Sequence, residues 1–279
     1  MTDRLQLRRG KPLAALALSA LLAACGGGDE LALEDTEPQT IFEQAERELD
    51  RGDADDAAQL FSEIERLYPY SEWAKRGLIM QAFSFHKDQD YENARAAAQR
   101  YIDFYPADED AAYAQYLLAL SYYDQIDQVG RDQGLTFQAL QALRTVIERY
   151  PDSEYARSSI LKFDLAFDHL AAKEMEIGRY YLLRGHYPAA INRFRAVVEE
   201  FQTTTHTPEA LMRLVEAYLA LGLADEAQTA GAILGYNFQS SPFYDDAFRQ
   251  LNGQGLSPEA RGSSWLRAVY DRTIKGRWL

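Results

Sequence analysis

Cysteine is almost absent from this chain: Cys25 is the only one in 279 residues. One thiol cannot form an internal disulfide, so an oxidising compartment is tolerated but adds nothing to stability. Histidine is nearly as scarce. His86, His169, His186 and His206 are dispersed and lack the His-x-x-x-His spacing of a helical zinc site. There is no nucleophile-elbow pattern and no glycine-rich phosphate cradle. Asp50, Asp53, Asp55 and Asp56 have the look of a calcium loop. Counting from Asp53, however, puts Ala58 and Ile64 where that loop needs its glycine and its glutamate. Those acids suit the first turn of a helix instead. No later apolar run approaches the ~20 residues of a spanning helix. The chain therefore offers no catalytic, metal or cofactor site to name, and a non-enzymatic role is expected.

Charge of one sign dominates. The whole chain carries −14; residues 1–25 carry +3 and residues 261–279 carry +4, so residues 26–260 carry −21. A body this acidic argues against nucleic acid and against the body lying on anionic lipid, and it suits basic surfaces on protein partners.

What is present begins at the N-terminus. Arg4, Arg8, Arg9 and Lys11 precede a short apolar run from Pro12 to Ala24, and Gly26-Gly27-Gly28 follow Cys25. A basic start, a short apolar stretch and small residues at the cut are the marks of a secretory signal. Leu22-Ala23-Ala24-Cys25 resembles the bacterial lipobox, in which the cysteine is lipidated and opens the mature chain. The alternative is a plain signal peptide with a chance cysteine. Residues 1–24 are expected to be the signal. Residues 25–37, acidic and without aromatics from Asp29 onward, are expected to be a flexible lipid-anchored tether. The resemblance implies three acyl chains, enough for stable attachment. Gly26 in place of aspartate favours the outer membrane, by the same likeness.

The rest of the chain repeats. Ala57, Ala94, Ala139, Ala190 and Ala227 align. Five residues earlier stand Gly52, Gln89, Gly134, Gly185 and Gly222; seven later stand Ile64, Tyr101, Val146, Val197 and Leu234. Eleven later the column is wholly aromatic: Tyr68, Tyr105, Tyr150, Phe201 and Phe238. Pro69, Pro106 and Pro151 follow in the first three copies. A glycine suits the turn between two helices, where φ is positive. Alanine lets two helix axes approach, the residue two turns on packs into the core, and proline ends the second helix. This order resembles the tetratricopeptide repeat, and it predicts an all-α, right-handed superhelical solenoid of about five helix pairs. The alanine spacings of 37, 45, 51 and 37 are uneven. An insert over Asp124–Asp132 accounts for the 45, and a long helix from Ser153, a plausible N-cap, to about Arg184 for the 51. Repeats 1–3 should span residues 38–152, and the bridging helix with repeats 4–5 residues 153–250. Residues 251–279 form a basic amphipathic tail, with Trp265, Leu266, Val269, Tyr270, Ile274 and Trp278 at helical spacing. It reads as a capping helix, a docking element for a partner or lipid headgroups, or disorder.

Several stretches carry a more specific likeness: Arg149-Tyr150-Pro151-Asp152-Ser153-Glu154-Tyr155 with its variant Leu67 to Trp73, Tyr122-Tyr123 before the Arg131-Asp132-Gln133 insert, and Tyr180-Tyr181 through Arg184-Gly185-His186-Tyr187 to Asn192-Arg193. Over roughly residues 38–250 the chain resembles the BamD family, tetratricopeptide lipoproteins of the outer-membrane β-barrel assembly machine. That resemblance implies a lipid-anchored protein on the periplasmic face of the outer membrane. It implies that repeats 1–3 receive unfolded outer-membrane β-barrel proteins, recognised by a C-terminal strand with a final aromatic. Phe42, Ile79, Phe83, Tyr113 and Tyr116, at inward positions of the first helices, are the substrate-binding candidates. Repeats 4–5 are implied to bind the central barrel subunit, BamA, with Arg193 at that surface; other accessory lipoproteins complete the set of partners. A general periplasmic scaffold lipoprotein, pilotin-like or coordinating envelope constriction, is the rival reading. A cell-wall enzyme or its activator would need a carboxylate or serine centre that the sequence does not offer.

Overall fold

The computed structural model describes residues 33–279. Among these residues every regular element is helical: a 3₁₀ turn at Leu33–Asp35, then α1 (Pro38–Arg51), α2 (Ala54–Leu67), α3 (Glu72–Lys87), α4 (Tyr91–Phe104), α5 (Ala111–Tyr123), α6 (Gly134–Arg149), α7 (Glu154–Leu183), α8 (Tyr187–Glu200), α9 (Thr207–Ala220), α10 (Ala224–Asn237), α11 (Pro242–Gly253) and α12 (Trp265–Ile274). The chain forms two compact units that divide within α3, after Gly77.

In the first unit α1 packs on α2 through Ile41, Phe42, Ala45, Ala57, Phe61 and Ile64, all buried. The Phe42 ring meets Phe61 edge-on at 5.1 Å and Trp73 at the same distance. Of the expected tether, 25–37, only residues 33–37 are among those described. The Tyr68 hydroxyl donates to the Thr36 carbonyl at 2.7 Å, which holds the residues just before α1 on the end of α2.

The second unit is a run of helices in which each of α4 to α10 packs on its successor, the layout of a helical repeat array. The column assignments account for this. All five alanines, and all five residues seven positions on, have no exposed surface. Burying a Val, Leu or Ile side chain contributes roughly 1.5–3 kcal/mol, so this column is a large share of each pair's stability. Tyr101 is its one polar member, and its hydroxyl donates to Asp108 at 2.7 Å.

The aromatic column does more than end a helix. Tyr68, Tyr105, Tyr150, Phe201 and Phe238 are all C-caps, with φ between −135° and −122°. Each carbonyl accepts the backbone N–H three residues on, at Ser71, Asp108, Ser153, Thr204 and Ser241. In three copies a hydroxyl adds a bond to the same carbonyl: Ser71, Ser153 and Thr204, at 2.8, 2.8 and 2.7 Å. Ser153 is thus the N-cap residue of α7, but its hydroxyl serves the preceding turn rather than the helix.

The glycine column holds at three positions. Gly52, Gly185 and Gly222 have φ of 99°, 73° and 74°, and Gln89 adopts 66° in the second copy. Gly134 departs from the expectation. It is the first residue of α6, not a left-handed turn, because the ten-residue loop before it has already reversed the chain. Gln133 closes that loop by donating to the carbonyls of Val129 and Arg131.

The tail is folded onto the last repeats. Leu266, Val269 and Trp278 are buried in one core with residues of α8, α9 and α10. The Trp265 indole donates to the Tyr218 hydroxyl at 3.1 Å and the Trp278 indole to the Val198 carbonyl at 3.2 Å. Ile274 stays exposed.

Helix α7 has 30 residues, about 45 Å of helix. Gly178 lies inside it, where glycine costs about 1 kcal/mol relative to alanine. The reason is contact: a Cβ there would lie within 3.0 Å of three carbons of the Phe194 ring. Gly178→Ala should therefore destabilise the protein by about 1–3 kcal/mol despite its better helix propensity. Thermal unfolding checks this, and a raised melting temperature would show that Phe194 can move aside.

Candidate functional site

Two adjoining cavities, of about 480 and 450 Å³, share Phe137, Glu200 and Phe201 and together form one groove over α6, α7 and α8. Helix α6 supplies Phe137, Leu140, Gln141 and Arg144; α7 supplies Phe163, Phe167, Leu170, Glu174 and Tyr181; α8 supplies Ala189, Asn192, Arg193, Ala196 and Glu200. The 3.6-residue period explains the lining, since residues three or four apart share a helix face. The groove's aromatic floor is continuous: Phe163 stacks on Phe167 at 5.9 Å, and Phe167 meets Phe201 at 5.0 Å. Phe137 stands at the junction of the cavities with 59% of its surface exposed. A phenylalanine that open, beside other aromatic faces, is suited to covering by a partner.

Two guanidinium groups mark the groove. Arg144 lies over the Phe163 ring at 5.4 Å and has no carboxylate partner among the described residues. Arg193 bonds Glu174 through Nη1, at 3.1 and 3.3 Å to its two oxygens. Because only one nitrogen of Arg193 is used, the Nε/Nη2 edge remains free to take a second carboxylate in a parallel pair.

The other candidates fall elsewhere. Phe42 and Ile79 are 8% and 6% exposed. They are core residues, and a side chain so covered cannot line a peptide groove. Phe83 and Tyr113 are half-buried around the cluster that contains Ile79. Tyr113 and Tyr116 come together across Tyr155 of α7, with ring centroids 5.2 and 5.3 Å from it. The Tyr116 hydroxyl shares a 2.7 Å hydrogen bond with Ser158. Lys162 sits over Tyr116 and Tyr123, 5.8 Å from each centroid. Cys25 lies outside the described residues.

The groove aromatics Phe137, Phe163 and Phe167 escaped the sequence reading because they fall outside the aligned columns. The available signal was the i, i+4 pair Phe163/Phe167 in a helix too long for one repeat. Among the described residues no cluster of His, Cys, Asp or Glu could hold a metal ion, and no helix is long and apolar enough to cross a membrane.

Residues 34–233, from the turn before α1 into α10, match the family model of the YfiO outer membrane lipoproteins. The chain belongs to that family. It is 46% identical to the outer membrane protein assembly factor BamD of Caulobacter vibrioides over 91% of this chain and 85% of that one. Against the BamD of Rickettsia prowazekii the identity is 43%, covering 75% and 84%. Against that of Neisseria meningitidis serogroup A it is 28%, covering 86% and 95%. The family match spans the first four copies of the aligned columns and Gly222 and Ala227 of the fifth; Leu234, Phe238, α11 and α12 lie beyond it.

The tyrosine cluster gives a pH test. Burial first, then Tyr155 and Tyr116, push Tyr113 from 10.0 up to about 12. The unfolded chain releases this proton near pH 10 while the folded protein keeps it to about 12. Stability present below pH 10 should therefore be lost as pH rises through that window. Tyr113→Phe should flatten the fall, measured as melting temperature between pH 9 and 12. An unchanged slope would mean that Tyr113 is well solvated.

Proposed function

We propose that this protein is a non-catalytic lipoprotein subunit of the outer-membrane β-barrel assembly complex, anchored through Cys25 and facing the periplasm. It captures unfolded outer-membrane proteins and binds the central barrel subunit, so its mechanism is local concentration and hand-over. Confinement to the membrane plane raises the effective concentration of both partners. The family supports an outer-membrane assembly role. The observation that carries the partner-binding part is the α6–α8 groove: an exposed Phe137, an aromatic floor and a half-used guanidinium at Arg193. Half-buried Phe83, Tyr113 and Tyr116 remain as candidates for gripping an aromatic side chain of a substrate strand, since aromatic pairing adds about 0.5–1.5 kcal/mol beyond burial.

Arg193→Ala should weaken association with the periplasmic region of the barrel subunit by about 2–5 kcal/mol if its pair is desolvated there. Arg193→Lys should rescue only in part, because an ammonium cannot reproduce two parallel bonds. The Arg193 and Glu174 side chains are 43% and 22% exposed, so loss of their pair should cost the fold under about 1 kcal/mol. Calorimetry against the periplasmic domain, with melting curves as control, checks both. Unaltered binding of Arg193→Ala removes this residue from the interface.

Cys25→Ala should release the protein from membranes, since no described helix is long and apolar enough to span one. Fractionation in high salt, without the barrel subunit, is the measurement. Retention in the outer-membrane fraction would overturn the anchor.

A further inference from the structure

The C-terminal end of α12 carries three cations without a carboxylate partner among the described residues: Arg272, Lys275 and Arg277. The other basic side chains of the tail are engaged. Arg261 pairs with Glu259 at 2.8 Å, and Arg267 pairs with Asp271 at 3.0 Å. A helix C-terminus favours positive charge, which accounts for one cation in the last turn but not for three. Nor does it account for Ile274 and Leu279, which lie among them with 48% and 58% of their surface exposed.

The local fold holds this arrangement in place. Gly276, at φ 61°, closes the helix, and the Arg277 N–H bonds back to the Arg272 carbonyl at 2.9 Å. The backbone turn drives Trp278 inward, where it is 5% exposed, bonded to the Val198 carbonyl and set edge-on to Phe238. Residues on either side of a buried anchor are left pointing outward: Arg277 and Leu279 are both exposed. Arg272 and Lys275, three apart, share a helix face. The result is a compact, exposed patch of three cations with two aliphatic side chains, on a chain whose net charge is −14.

We infer that this patch is a membrane-surface contact that binds anionic phospholipid headgroups. The charge sign selects an anionic surface. The exposed Ile274 and Leu279 select a bilayer interface over an acidic protein face, because an interface accepts cations in the headgroup layer and aliphatic groups just beneath it. A buried tryptophan makes the patch a fixed feature of the folded protein, not a trailing end. The inference rests on outer-membrane association through the family, not on Arg193 or on any protein partner. It does not require the lipid at Cys25.

The test uses the chain from Gly26 onward, which keeps every described residue but carries no lipid. Co-sedimentation is measured with phosphatidylcholine vesicles that contain or lack a third of phosphatidylglycerol. Binding is expected only to the anionic vesicles, falling as salt rises from 50 to 500 mM. Each cation near an anionic surface should be worth about fivefold in partitioning. Arg272→Gln, Lys275→Gln and Arg277→Gln together should reduce binding at least tenfold at an unchanged melting temperature. Ile274→Ser with Leu279→Ser should reduce it further at constant charge. Equal binding by the triple variant overturns the inference, as does equal binding to uncharged vesicles. Absence of binding by the unaltered chain at 50 mM salt overturns it too, and would leave an acidic protein surface as the occupant. None of these outcomes bears on barrel-subunit binding, which the Arg193 variants report separately.

Discussion

The close approach of two helices at a buried alanine is the contact on which everything else in this protein depends. Ala57, Ala94, Ala139, Ala190 and Ala227 have no exposed surface. A larger side chain at any of them would hold the paired helices apart, because interiors packed near crystal density cannot absorb extra methylenes. With the axes drawn together, the residue two turns further on is carried into the core. It is also fully buried in every copy. The rest of each repeat then has little freedom. The turn must be tight, so three copies use a glycine at positive φ and one forces Gln89 into the same region. The second helix must end where the next pair begins. An aromatic C-cap does this, its carbonyl closing a four-residue turn onto the start of the next helix.

The α6–α8 groove follows from where that regularity fails. A run of uniform pairs would leave no room beyond the ordinary furrow between neighbours. Here the insert before α6 and the length of α7 set α6 and α8 on the same long helix, one toward each end. The gap between them is not filled by a further helix. Phe163, Phe167 and Leu170 of α7 therefore face into an opening and carry the aromatic floor of the groove. Phe137 stays exposed for the same reason.

Most of the architecture was legible because it is periodic. Five aligned columns placed the second helix of every pair, the insert and the bounds of α7. The misses have physical causes. Gly134 shares a column with turn glycines, but the loop before it removes the need for positive φ. Ser153 is the N-cap residue of α7 as its position suggests, but its hydroxyl bonds the Tyr150 carbonyl instead of a helix N–H. Phe42 and Ile79 show the limit of reading a face from spacing. A helix between two neighbours has two buried faces, and spacing alone does not tell a groove from a core. The groove aromatics were hidden because they belong to the exception, not to the repeat. Arg193 is a candidate through likeness alone, and nothing in its local sequence announces that one edge of its guanidinium stays free.

The same logic separates the polar groups that hold the fold together from those left open to the surface. Many of the chain's polar groups are spent inside the fold: Tyr101 bonds Asp108 across a turn, while Tyr116 on Ser158 and Trp265 on Tyr218 tie one helix to another. What remains unspent lies on the surface, in guanidinium edges and aromatic faces that can each be completed only from outside. A guanidinium such as Arg144, lying over Phe163 and without a carboxylate partner among the described residues, is stabilised by the ring beneath it and still holds all its outward donors. The ring beneath it fixes one face of the guanidinium and leaves its edge open to solvent.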